Sequence, residues 1–292
     1  MGDLVAVLIA DPQAGLPAEL VDAVASAARA EPNVLAPNEA IEFALPNGDD
    51  WNAILGTVIG PRELDLAIVP AENRRKRLLI ADMDSTIIEQ ECIDELADEV
   101  GKRDEVAAVT ERAMRGEIDF ERALRDRVAT LRGLDVGAVD RVLRDRIHIR
   151  SGARELVATM RANGAHTMLV SGGFTHFTEA IADAVGFSEH LANRLNVDGD
   201  HFDGTVVEPI LGREAKLTAL TEAAAQRGLG TDDVLAIGDG ANDLAMIEAA
   251  GLGMAIHAKP AVAAKADVSV RFAGLRAALF VQGYRADEIV RH

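Results

Sequence analysis

The chain has 292 residues, 49% hydrophobic but only 3% aromatic, with 48 acidic against 30 basic side chains and a net charge of −18. That length holds a main domain with one or two smaller ones, and the core must be built mostly from Leu, Val, Ile and Ala. So acidic a surface argues against nucleic acid as a partner, because such binding uses basic patches to neutralise phosphates, and equally against an anionic membrane.

Residues 3–10 read as a strand, and 17–30 as a helix with Pro17 near its first turn. Short apolar runs follow at Val34-Leu35 and from Ala40 to Leu45; a helical stretch begins at Trp51, and Leu64 to Val69 reads as another strand. The order β-α-β-β-α-β is a ferredoxin-like pattern. A basic connector, Glu72-Asn73-Arg74-Arg75-Lys76-Arg77, comes next. Its four cations could form an anion site, but a solvated linker is the expectation. Leu78-Leu79-Ile80-Ala81 then forms an apolar run without polar alternation, which suits a strand buried on both faces of a parallel sheet.

Residues 88–150 are charge-dense and free of proline, and they repeat helical spacing, as in Ile93, Leu96 and Val100; a helical insertion is expected there. Cys92, the single cysteine, falls inside it as a buried or neutral thiol, so no disulfide framework exists and a reducing compartment is expected. Strands resume at Thr167 to Val170, Val234 to Ile237 and Gly253 to Ile256, with helices at 153–162 and 213–227. This alternation implies a doubly wound sheet, within which Asp198-Gly199-Asp200 and Asp203-Gly204 signal a hairpin. No run reaches the ~18 apolar residues of a membrane helix. Met1-Gly2-Asp3-Leu4 lacks the marks of a secretory leader, so the cytoplasm is the expected location.

Four polar clusters carry the chemistry. Asp82 and Asp84 stand at the end of the Leu78 strand, where open α/β sheets bind their ligands. Two carboxylates there can serve a metal, a nucleophilic attack and a proton transfer, although Asp-x-Asp alone is more often a solvated loop or helix start. Ser171-Gly172-Gly173 ends the Met168 strand and offers a hydroxyl and free backbone N–H groups, which suit a phosphate. Lys216 lies near the start of a helix, where most lysines are solvated. Gly238-Asp239-Gly240-Ala241-Asn242-Asp243 ends the Val234 strand and forms a plausible hard-cation site. His148, His166, His176 and His201 show no metal-ligand spacing.

Acid pair, hydroxyl, lysine and acid cluster follow in an order that resembles the haloacid dehalogenase superfamily of phosphohydrolases. Glu91, Met114-Arg115-Gly116, Phe120, Arg127, Val170-Ser171-Gly172-Gly173-Phe174 and Gly238-Asp239-Gly240-Ala241-Asn242-Asp243 look like those of its phosphoserine phosphatases. The likeness covers about residues 76–260. Over 1–71 only the strand and helix order is similar to amino-acid-binding (ACT-like) regulatory domains. His257 stands where this family more often has asparagine.

The resemblance implies an α/β fold: a ferredoxin-like unit over 1–71, then a doubly wound, Rossmann-like phosphatase domain over 72–292 with a helical cap at about 88–150. It implies hydrolysis of O-phosphoserine, with Asp82 as nucleophile and Asp84 as general acid and then base. Mg²⁺ would be held by the carboxylates of Asp82 and Asp239 and the backbone carbonyl of Asp84, with Asp243 orienting the metal's waters. Ser171, Gly172 and Lys216 would hold the phosphoryl group, supported by Asn242, while Glu91 and Arg127 would read the ammonium and carboxylate of the amino acid. A phosphotransferase, a phosphatase for another small ester, and a serine-binding protein without catalysis stand as alternatives. The first unit is expected to pair two chains into a homodimer or to sense serine, or else only to stabilise the rest.

Overall fold

The computed structural model describes residues 4–46, 48–114 and 117–291. Arg115 and Gly116 of the Met114-Arg115-Gly116 motif lie outside the described residues.

The first unit runs β1 (Leu4–Ile9), α1 (Ala18–Ala28), β2 (Asn33–Ala36), β3 (Ala40–Leu45), α2 (Trp51–Ile59) and β4 (Asp65–Pro70). Its strands form an antiparallel sheet in the order β2-β3-β1-β4. Alternation along β1 sends Ala6 and Leu8 to one face, where they pack with Phe43 against Leu20 and Val24 of α1 and Leu55 of α2. Val5, Val7 and Ile9 point the other way, into a core shared with residues near the far end of the chain, among them Leu279, Phe280 and Tyr284. Each such fully buried aliphatic side chain stabilises by about 1.5–3 kcal/mol. The unit is therefore bonded to the rest of the protein across an apolar sheet face.

The basic connector is not a solvated linker. The Arg74 guanidinium donates to Val281 O at 3.0 Å and Phe280 O at 3.3 Å and pairs with Glu42 at 2.8 Å. Arg75 lies 4.1 Å over the Tyr284 ring and pairs with Glu288 at 2.7 Å. Lys76, buried, donates to the carbonyls of Asn73 and Asp232, both at 2.8 Å. Planar guanidinium forks and cation–π contact suit this pinning role, and no anion is required to explain these three of the four cations.

The second part begins with β5 (Leu78–Ala81), followed by an irregular turn, Met83–Ile87. Helices α3 (Cys92–Glu99), α4 (Arg103–Met114), α5 (Phe120–Ala129) and α6 (Ala138–Asp145) form the expected cap. The chain returns through α7 (Ala153–Ala162), β6 (His166–Phe174), α8 (Thr175–Val185), β7 (Glu189–Asn193), β8 (Leu195–Asp198), β9 (His201–Val206), α9 (Arg213–Gln226) and β10 (Val234–Gly238). It continues through α10 (Leu244–Ala249), β11 (Leu252–Ile256), α11 (Pro260–Ala263), β12 (Val268–Val270) and α12 (Ala277–Val281).

Six parallel strands stand in the order β12-β11-β10-β5-β6-β7. Leu79 and Ala81 of β5 face a layer containing Leu156 of α7 and Phe177 of α8, while Leu78 and Ile80 face Leu220 of α9 and Met246 of α10. Burial on both faces is why this strand lacks polar alternation. The chain leaves β5 for β6 on one side and reaches β10 on the other, so β5 sits at the point where strand order reverses and a crevice opens.

The hairpin differs in place from the expectation. β8 and β9 form a separate two-stranded sheet that docks on the cap. Gly133 donates to Phe202 O at 2.8 Å, Phe202 to Leu134 O at 2.9 Å, and Val136 to Asp200 O at 2.9 Å. Backbone groups between α5 and α6 thus find partners from a segment distant in sequence, which the turn signals alone could not indicate.

Candidate active site

The carboxyl ends of β5, β6 and β10 bring together the acid pair, the acid cluster and Ser171-Gly172-Gly173, which lies within the irregular last part of β6 and not after it. Asp82 is 5% exposed, and its backbone N–H donates to Ile237 O at 3.0 Å, which fixes it against β10. Lys216, in the first turn of α9, is buried and sets Nζ 2.5 Å from Asp82 Oδ1 and 2.5 Å from Asp243 Oδ1. Burial opposes the charge on this ammonium, but the two carboxylates outweigh it and raise the pKa above the ordinary lysine value. The expectation that a lysine so placed is solvated fails for this one.

Asp243 is fully buried and uses both oxygens. Oδ1 faces Lys216, and Oδ2 accepts from the backbone N–H groups of Asp239 at 3.1 Å and Gly240 at 2.9 Å. Its carboxylate therefore shapes the loop that presents Asp239. A Cβ at residue 238 would lie 2.4 Å from Asp243 Cγ, so only glycine permits this fold-back. Asn242 turns its side chain toward Gly240: a Cβ there would meet Asn242 Oδ1 at 2.2 Å.

The two aspartates of the pair have different surroundings. Burial, then the neighbouring Asp243, push Asp82 well up, while Lys216 pulls it down. Asp84 accepts from the Cys92 N–H at 2.9 Å through Oδ1 and from Ser171 Oγ at 3.3 Å through Oδ2. Its pKa is raised by burial against those hydrogen bonds. Ser171 Oγ also receives the Gly173 N–H at 2.8 Å, and a Cβ at 173 would stand 2.9 Å from Asp84 Oδ2. Glycine at 173 is what lets the β6 turn approach the β5 carboxylate. Asp239 accepts from Thr86 Oγ1 at 3.3 Å; burial and Asp243 raise its pKa to about 6.

Asp82, Asp239 and Asp243 can each offer an oxygen within 4.8 Å of the others. Three carboxylates face a single ammonium, and every donor is a hard oxygen, so the set fits a divalent cation such as Mg²⁺. Asp82 and Asp239 are the better candidates as ligands, because Asp243 is already engaged by Lys216 and two N–H groups.

Over this floor sits the cap. Glu91, at the start of α3, accepts from Ser85 Oγ at 2.7 Å, and burial, then the Asp84 charge, raise its pKa to about 7. Arg127 of α5 donates to Ala123 O at 3.3 Å; burial lowers its pKa against the fields of Asp94, Glu91 and Asp84. The Phe120 ring lies over the end of β6 and the segment before α9: a Cβ at Gly172 would meet its Cζ at 3.4 Å, and one at Gly212 its Cδ1 at 3.9 Å. The cap is folded down onto the floor.

Two contributors had no signal in the sequence. Thr86 supports Asp239 from inside the Asp82–Thr86 pentapeptide. Asn193, at the end of β7, donates to Gly172 O at 2.9 Å and accepts from the Leu211 N–H at 2.7 Å, joining the Ser-Gly-Gly turn to the segment before α9. A polar residue closing a short strand beside a glycine turn is the only hint it leaves.

Residues 79–248 match the haloacid dehalogenase-like hydrolase family. The chain belongs to that family. It is 43% identical over 209 residues to a phosphoserine phosphatase of Archaeoglobus fulgidus, covering 71% of this chain and 60% of the relative. To a phosphoserine phosphatase of Streptomyces coelicolor it is 40% identical over 257 residues, 87% of this chain and 62% of the other. The chain thus spans about three fifths of the length of these relatives. Its fold matches the unliganded crystal structure of a probable phosphoserine phosphatase from Vibrio cholerae with a TM-score of 0.80 at 32% identity, over 97% of this chain and 86% of that one. Among the described residues, no helix is long and apolar enough to cross a membrane.

Proposed function

We propose that this chain is an Mg²⁺-dependent phosphoserine phosphatase, acting in the cytoplasm on O-phospho-L-serine as the last step of serine biosynthesis. The observation that carries the reading is the contrast between neighbouring carboxylates: Asp82 lies against a buried ammonium, whereas Asp84 pairs with no cation among the described residues and burial raises its pKa despite the Cys92 N–H and Ser171 hydroxyl it accepts from. One is suited to attack as an anion and the other to carry a proton, a division of labour set by environment. The family match and the names of the relatives support the same substrate class.

In this reading an Asp82 oxygen attacks phosphorus, the bond from phosphorus to the serine oxygen breaks, and Asp84 delivers its proton to that oxygen. Asp84 then removes a proton from water as water attacks the aspartyl-phosphate, releasing phosphate and restoring the Asp82 carboxylate. Ser171, the Gly172 N–H and Lys216 hold phosphoryl oxygens as their charge redistributes, with Asn242 alongside. The cap excludes water, with Glu91 taking the substrate ammonium and Arg127 its carboxylate. Mg²⁺, held by Asp82, Asp239 and the Asp84 carbonyl, would neutralise phosphoryl charge when bound. Two chains paired through the first unit form the assembly in this reading.

The test is phosphate release from a panel of phosphorylated metabolites with Mg²⁺ present, with and without an added alcohol such as homoserine. Preferential release from O-phosphoserine into water is expected. Transfer to the alcohol, or preference for another ester, would replace the reading.

A further inference from the structure

The cap joins the floor through two antiparallel stretches, bridged between Ile88 and Ile149 and by the Glu89 N–H to His148 O at 3.0 Å. On the returning stretch Arg150 takes hold of three successive carbonyls of the turn after Asp82. Its Nη2 donates to Ser85 O at 2.8 Å, its Nε to Thr86 O at 2.9 Å and its backbone N–H to Ile87 O at 2.8 Å. Ser85 has φ 55°, a left-handed conformation that a non-glycine residue keeps only when its surroundings hold it. Its N–H goes to Gln90 O, its Oγ to Glu91, and its carbonyl to Arg150. Asp84 immediately precedes this residue, and Thr86, which supports Asp239, follows it.

Beyond Arg150, Ser151 O accepts the Leu275 N–H at 2.8 Å. The two segments touch without slack: a Cβ at Gly152 would lie 2.4 Å from Arg276 N, and one at Gly274 2.6 Å from Ser151 O. The first unit grips the same segment from its other side. The Asp65 carboxylate accepts the N–H groups of Arg271, Phe272 and Ala273 at 2.7, 3.1 and 2.8 Å, and Glu39 pairs with Arg276 at 3.0 Å. Backbone hydrogen bonds and glycine contacts pass on a displacement instead of absorbing it, because close-packed interiors have little room to relax.

We propose that the first unit, through residues 271–276, sets the position of the cap's hinge, and that Arg150 is the positioning residue that carries this setting to the turn after Asp82. The kinetic part rests on the proposed reading of that turn as catalytic; the mechanical part does not. Arg150→Met and Arg150→Lys should be assayed with p-nitrophenyl phosphate, which lacks the amino-acid groups. Arg150→Met is expected to lose about ten- to a hundredfold in kcat, the scale of a small misplacement of reacting groups, with KM changed by less than about threefold. Arg150→Lys, with one ammonium for two carbonyls, should fall between it and the natural chain.

Hydrogen exchange on the full chain carrying Asp65→Asn tests the coupling without reference to turnover. A single amide oxygen cannot satisfy three N–H donors, so exchange should quicken at 271–276 and also at 147–152 and 85–90. Exchange changes confined to residue 65 and 271–273, or an unchanged kcat in Arg150→Met, would overturn the proposal. Should Arg150→Met not fold, an unchanged kcat in Arg150→Lys would do the same. If Asp82→Asn kept its turnover, the functional reading would fall while the exchange result still decided the coupling.

Discussion

Lys216 Nζ stands 2.5 Å from Oδ1 of Asp82 and 2.5 Å from Oδ1 of Asp243, so a single buried cation ties the end of β5 to the loop after β10. Removing it would leave two buried carboxylates facing each other with no cation between them. Lys216→Met should therefore abolish turnover and lower stability by about 3–5 kcal/mol, the usual penalty for breaking a buried pair on one side. Thermal unfolding measured with and without Mg²⁺ checks this. Mg²⁺ should restore part of the stability and none of the turnover. A variant as stable as the natural chain would remove the bridging role.

Asp82→Asn should eliminate turnover while leaving the fold intact, because an amide is not a competent nucleophile. Asp84→Asn should be nearly as severe through loss of the proton carrier. Circular dichroism establishes folding and phosphate release establishes activity. More than a trace of turnover in folded Asp82→Asn contradicts a covalent route.

Metal binding should weaken in acid. Asp239 titrates at about 6, and a proton on its carboxyl excludes the cation from that oxygen. As the pH falls through 6 this carboxyl becomes protonated, and its share of the loss should raise the apparent Kd for Mg²⁺ by about tenfold per pH unit below 6. Calorimetric titration between pH 5 and pH 7.5 reads this directly. A constant Kd across that window would mean Asp239 is not a ligand.

Substrate choice should depend on the cap. Glu91→Gln and Arg127→Ala should raise KM for O-phosphoserine far more than for p-nitrophenyl phosphate, which offers neither ammonium nor carboxylate. Equal losses on both substrates would assign these side chains to the fold or the chemistry.

A chain beginning at Arg74 should be much less stable than the full one. It would expose the surface of Leu279, Phe280 and Tyr284 that now packs on Val5, Val7 and Ile9, at roughly 25 cal/mol per Å² of apolar area returned to water. Denaturant unfolding checks this. Equal midpoints for the two chains would show that the shared core contributes little, and the same number of chains per assembly in solution would remove pairing through the first unit.

What the sequence made legible depended on local pattern. Leu78 to Ala81 could be read as a doubly buried strand because every residue in it is apolar, and the Asp82 motif follows it directly, whereas Ser171-Gly172-Gly173 lies within the last part of β6, where the pairing with β7 shifts register. Lys216 could not be distinguished from a solvated lysine, since its burial comes from partners on two other strands. The connector misled for the same reason. Arg74 finds Val281 O 207 residues further along, and no local feature of a basic run announces that partner. β12, three residues long, and α12, five, were too short to leave a periodic signature.

The antiparallel sheet, with one face on its own helices and the other on residues near the far end of the chain, has a consequence for synthesis. Asn33 and its partner Arg285 are 252 residues apart, so a ribosome must add that many residues after the first unit's second strand before the second face can be covered. Until then the nascent first unit carries an open apolar surface, the kind on which chaperones act and from which aggregation starts. Slowing translation between the codons for the first unit and those for residues 279–285 should lower soluble yield more than slowing it within the first unit.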